Sequence, residues 1–114
     1  MPAELRQGRV FMGPAPYVGE GDSLCVALGK APNRWVEVRL ADFFAPELAE
    51  PGGSRARDVL IRITRGRRVE CVAGSRSLDR VVAVCRIAGV SIGDMLRAAG
   101  VAEGGSRWTR PSGP

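Results

Sequence analysis

Read for hydrophobic period, the chain falls into short alternating runs separated by Gly- and Pro-rich breaks. Tyr17-Val18 leads into Gly19-Glu20-Gly21-Asp22, a glycine-and-acid turn of hairpin type, and residues 23–28 (SLCVAL) follow as a strand. Residues 29–33 form a second turn, and the alternation of residues 35–42 predicts a third strand. A loop over 46–53 precedes Ser54, a helix-capping residue type, and Ala56, Val59, Leu60 and Ile63 recur at helical spacing until Gly66, with Ile61 off the stripe. Residues 68–73 and 80–87 read as two more strands around a polar turn at 74–79. Ser91 caps a short last helix carrying Ile92, Met95, Leu96 and Ala99 on one face, with Gly100 at its end. Residues 1–13 read as an arm and residues 103–114, rich in Gly, Ser, Pro and Arg, as a flexible tail, leaving one domain over 14–102.

The resulting order, β-β-β-α-β-β-α, predicts a mainly β protein with helices, laid out as a five-stranded Greek-key OB barrel. That fold commonly presents oligonucleotide- or oligosaccharide-binding surfaces, although a fold does not assign a function. At 114 residues, 45% of them hydrophobic, the chain supports one globular domain with a modest core. Its longest apolar runs, 24–28 and 81–85, are far too short to span a bilayer, and no apolar stretch of signal-peptide type follows the first residues. The expectation is a soluble, membrane-free, cytoplasmic monomer, with secretion open if a leader has been removed.

Charge narrows the field. Seventeen basic residues oppose twelve acidic ones, a net charge of +5, and Lys30 is the only lysine. Guanidinium groups fork onto phosphate oxygens, and a basic excess favours polyanions by releasing counterions, so nucleic acid is the expected partner class. The absence of histidine removes the usual general base and every His-dependent triad. Cys25, Cys71 and Cys85 have no zinc spacing. Cys71 and Cys85 fall on two strands flanking one turn, where a cross-strand disulfide and a pair of buried thiols both fit; Cys25 reads as a lone core residue. Hydrolysis, if present, rests on carboxylates, arginines and a hard metal ion.

Four patterns in order resemble the staphylococcal-nuclease (thermonuclease-like) family over about residues 15–101: GEGDSLCV its acidic hairpin, VRLADFFAPE its arginine-to-glutamate segment, LDRVVAVC its late strand, and GVSIGDMLRAAGV its closing helix. The resemblance implies an OB barrel whose carboxylates hold Ca²⁺ on a phosphodiester of single-stranded DNA or RNA, or on a nucleotide phosphate, while a glutamate activates water and two arginines clamp the phosphate. By matched position Asp22 is the first metal ligand, Arg39 and Arg80 the phosphate-binding arginines, and Glu47 the catalytic glutamate, with Glu20 an extra acid of the hairpin.

The sequence departs from that pattern where the chemistry lies. Phe44 takes the position of the second metal-ligating aspartate, and a phenylalanine ligates nothing; Ala45 follows it. Calcium binding is therefore expected to be weak, and hydrolysis weakened or lost. Asp42, two residues earlier and on the same strand face, offers a substitute ligand, or is a solvated edge residue. Each remaining candidate has a plainer reading: Asp22 as a turn former, and Arg39 and Arg80 as structural ion-pair partners of Glu47 and Asp79. Trp35 and Phe43 suit base stacking or core packing. A rearranged, active Ca²⁺-dependent nuclease and a non-enzymatic interaction module stand as alternatives.

Overall fold

Alternation becomes architecture most directly in strands β3 (Ser23–Ala27), β4 (Trp35–Leu40) and β6 (Arg80–Ile87). Leu24, Val26, Val36, Val38, Leu40, Val81, Ala83 and Cys85 are all nearly inaccessible, while the intervening Cys25, Glu37 and Arg39 face outward. The computed structural model describes residues 5–77 and 79–104. With β1 (Val10–Pro14), β2 (Tyr17–Val18), β5 (Arg68–Ser77) and β7 (Val90–Ser91), seven strands of the described residues form one sheet in the order β1-β5-β6-β4-β3-β2, and β7 pairs with β6. All pairs are antiparallel except β4 with β6, whose parallel register sets Arg39 beside Val82 and Glu37 beside Arg80. Helix α1 (Gly53–Thr64) makes the crossover that this parallel pair requires.

The two ends of that hydrogen-bonded path are consecutive in the chain. Strand β1 (Val10–Pro14) lies on β5 (Arg68–Ser77), and β2 (Tyr17–Val18) lies on β3, with only Ala15-Pro16 between them. A Cβ added to Gly13 would stand 1.9 Å from the Ala27 carbonyl oxygen, so β1 approaches the end of β3 as closely as a glycine allows.

Several expectations change. Residues 10–14 are not part of an arm but strand β1. Its outward positions, Val10 and Met12, are apolar, so the sequence shows no alternation even though Phe11 and Gly13 point inward. The 74–79 turn shrinks, because β5 continues to Ser77 across an irregularity between Ala73 and Arg76. Ser54 is not the cap of α1: Gly52, in the left-handed region, precedes a helix starting at Gly53, whose own Cβ position is filled by the Glu47 carbonyl. Ser91 does cap helix α2 (Ile92–Ala98), accepting from the Asp94 N–H at 3.2 Å. Glu103 and Gly104, assigned to the tail, are docked against Phe44; the rest of that tail lies outside the described residues.

The core is closed by Val59, Leu60 and Ala56 from α1 and by Ile92 and Leu96 from α2, and Phe43 is part of it at 2% exposure. Directly opposed on β5 and β6, Cys71 and Cys85 are joined by a disulfide inside this core. Of the two arrangements open in the sequence, the bridged one is found.

Candidate functional site

The hairpin turn between β2 and β3 is built by its own backbone and one hydroxyl. The Gly19 N–H donates to the Ser23 carbonyl, the Ser23 N–H to the Glu20 carbonyl, and the Ser23 Oγ accepts from the Glu20 N–H. Gly21 is fully enclosed: a Cβ there would meet the Ala56 Cβ at 2.5 Å and the Ala45 Cβ at 2.9 Å. The turn is thus pressed between α1 and the loop after β4, which carries the following residue, Asp22, into the interior at 1% exposure.

Asp22 Oδ2 accepts a hydrogen bond from the Ala45 N–H at 3.0 Å and lies 3.5 Å from Arg39 Nε. The latter is a charge contact rather than a hydrogen bond, since Nε is buried without a hydrogen-bond partner among the described residues. The Arg39 guanidinium then extends over the Phe44 ring, 5.0 Å from its centroid. One carboxylate, one guanidinium and one ring therefore stack at the point where β4 leaves the sheet.

The loop itself is tied down from the C-terminal side. The Phe44 N–H donates to Glu103 Oε1 at 2.7 Å and its carbonyl accepts from the Gly104 N–H at 2.8 Å. Arg97, on α2, donates to the Asp42 carbonyl and bridges Glu103 and Asp94, with its guanidinium 5.6 Å above Phe43. Asp42 turns toward α2 rather than toward Asp22: its Oδ2 accepts from Ser91 Oγ at 2.5 Å, and its Oδ1 is buried with no hydrogen-bond partner among the described residues. Gly93 leaves it the room, as a Cβ there would be 2.9 Å from the carboxylate carbon.

A groove of about 330 Å³ opens over this loop, walled by Arg39, Asp42, Phe43, Phe44 and Glu103 among others. Asp22, Glu47 and Arg80 are not among its walls. Arg80, half-buried at the start of β6, shares the outward sheet face with Arg39, two positions away on the neighbouring strand, a diagonal of about 8 Å. Glu47 sits in the turn that leads to α1, its N–H donating to Glu50 Oε1 at 2.7 Å. The described residues bring Asp22 together with Arg39 and align Arg80 on the same face, while Glu47 is anchored through Glu50. Among them no group of three or more His, Cys, Asp or Glu side chains gathers as a metal cage would require.

Arg97 and Glu103 carry no signal of a site role in the sequence, and Ser91 reads there as a helix cap and not as the partner of Asp42. Asp94 and Arg97 at i, i+3 on a helix announce a surface ion pair and nothing more, and Glu103 carries no local signal, since its contact with Phe44 spans 59 residues. No family model and no curated protein matches this sequence.

Proposed function

We propose that this chain is an OB-barrel domain of the staphylococcal-nuclease type that holds nucleic acid or a nucleotide phosphate and has lost phosphodiester hydrolysis. Support for the barrel comes from the strand path, whose end strands β1 and β2 are linked by two residues, so that the first barrel strand, bent at Ala15-Pro16, serves both ends. Support for the family comes from the ordered motifs, with Asp22, Arg39 and Phe44 meeting at the end of β4.

The observation that carries the loss of hydrolysis is the engagement of Asp22. Its Oδ2 is occupied by the Ala45 N–H and faces Arg39, and the neighbouring ligand position offers the Phe44 ring. Asp42, the substitute considered from sequence, is turned to Ser91. Calcium takes six to eight oxygens, several of them carboxylate; this donor set does not fit it, and no step is assigned to a metal. What the residues offer instead is an anion-binding edge: Arg39 held flat by Asp22 and Phe44 beside an open groove, with Arg80 on the same face. The buried Cys71–Cys85 bridge favours an oxidising compartment over the reducing cytoplasm.

Cleavage of single-stranded DNA and RNA, measured with and without calcium and beside equilibrium binding, tests the reading. Binding without cleavage is expected. Calcium-dependent cleavage by the unmodified protein, abolished by Asp22→Ala, refutes it in favour of an active nuclease, and absence of binding leaves the interaction-module reading.

A further inference from the structure

The basic excess of this protein is concentrated in one place. Residues 53–68, which are helix α1, the turn after it and the first residue of β5, hold six arginines and a single acid, Asp58; the rest of the sequence carries eleven basic and eleven acidic residues, so the whole net charge of +5 belongs to this segment. Arg55 donates to the Ala99 and Gly100 carbonyls. The guanidinium groups of Arg57, Arg62, Arg65, Arg67 and Arg68 have no ion pair or hydrogen bond with any described residue. Helix electrostatics accounts for only part of this. Cations near the last turn, such as Arg62 and Arg65, complement the helix dipole, but Arg55 and Arg57 lie toward its positive end, in a helix with no acid in its first turn.

A second observation adjoins the first. Tyr17, 56% exposed, lines a groove of about 360 Å³ between β2 and α1 together with Arg57, Ile61, Thr64 and Arg65. An exposed aromatic ring beside two unpaired guanidiniums, in a groove large enough for one small ligand, is the combination by which proteins hold unstacked bases and track their backbone.

We propose that Arg57, Arg65 and the Tyr17 groove form a polyanion site separate from the Arg39 groove, taking a single-stranded nucleic acid with a base on the Tyr17 ring and its phosphates on Arg57 and Arg65, while Arg62 and Arg67 line another groove, toward α2. The choice of nucleic acid as partner rests on the functional reading above. An anionic membrane is the weaker fit, because the apolar stripe of α1, Ala56, Val59 and Leu60, is consumed in the core and leaves nothing to insert between lipids. A duplex is disfavoured because its bases are already stacked and unavailable to Tyr17.

With the two phosphate contacts on Arg57 and Arg65, the slope of log affinity against log salt is about −1.4 for a single strand, a loss of roughly sevenfold between 50 and 200 mM salt. The test is fluorescence anisotropy with a labelled single-stranded oligothymidylate and the RNA equivalent, on variants checked for unchanged melting. Arg57→Ala/Arg65→Ala is expected to weaken binding by tenfold or more and flatten the slope by about 1.4. Tyr17→Ala is expected to weaken it about tenfold with the slope unchanged, and Tyr17→Phe to restore it. If the double variant binds like the parent while Arg39→Ala does not, the α1 site is refuted and the functional reading survives. If the α1 and Tyr17 variants lose binding while Arg39→Ala and Arg80→Ala retain it, the site stands and the Arg39 groove loses its assigned role. A Tyr17→Ala variant that binds normally removes the stacking half of the proposal. Capture by phosphatidylserine vesicles but not by either oligonucleotide overturns the partner class, and binding to neither overturns both readings.

Discussion

Replacing Asp22 separates a structural carboxylate from a reactive one. In Asp22→Asn the side chain keeps its shape and an oxygen for the Ala45 N–H, but Arg39 loses its counter-charge. The contact at 3.5 Å is worth about 5 kcal/mol before desolvation at an effective dielectric of 20, and burying a carboxylate to 1% exposure cancels most of that. A net loss of about 1–2 kcal/mol is expected, the difference between a charged and a neutral hydrogen-bond acceptor with Arg39 still a quarter exposed. Asp22→Ala removes the carboxylate that accepts from the buried Ala45 N–H as well as the charge facing Arg39, so about 3–5 kcal/mol is expected. For 114 residues the unfolding entropy is about 0.24 kcal/mol/K, which converts these losses to melting shifts of about 4–8 °C and 12–20 °C. Thermal unfolding followed by circular dichroism reads both. The Asn variant should also bind oligonucleotide more tightly, because the Arg39 charge is released. Equal melting of both variants and the parent, or tighter folding in the Ala variant, would refute the structural role, since a carboxylate held for metal or substrate leaves the fold relaxed when removed.

The Cys71–Cys85 bridge closes a loop of sequence separation 14 and should contribute about 3 kcal/mol through the unfolded chain; urea unfolding with and without a phosphine reductant reads this, and coincident curves would show that the bridge does not form. Burial, and secondarily the charge of Glu37, raises the Cys25 thiol above its ordinary range. Alkylation of the native protein should therefore label one thiol, slowly at neutral pH and faster only above the ordinary thiol range, with Glu37→Gln accelerating it. Because the unfolded thiol ionises first, the stability tied to Cys25 is intact below the unfolded pKa and declines as pH rises past it.

What the sequence disclosed and what it hid follow from where each signal resides. Strands β3, β4 and β6 and the face of α1 were legible because one side is buried and the other is polar, and Ser91 was legible as a cap because its role is settled within three residues. Strand β1 was not, since Val10 and Met12 are apolar on the open side. The ion pair of Arg39 with Asp22, where the sequence suggested Glu47, follows from the register of β3 on β4, which sets Ser23 opposite Arg39. The orientation of Asp42 depends on Ser91, and the anchoring of Phe44 on Glu103, residues 49 and 59 positions away, distances over which no local pattern operates. The two phenylalanines divide accordingly: Phe43 fills the core under Arg97, and Phe44 stays at the surface under Arg39.

The two-residue link between β1 and β2 also bears on how copies of this protein avoid one another. A sheet ordinarily ends in two rows of unpaired amides that can recruit a strand from a second molecule. Here one terminal strand is only two residues long, the other runs close against Ala27, and Pro14 and Pro16, on either side of Ala15, have no N–H to offer. Cutting the backbone at Ala15-Pro16 would release both strands from that arrangement. The nicked protein would then present two free edges, and fibrillar or domain-swapped association would begin at β1, whose outward Val10 and Met12 are already apolar.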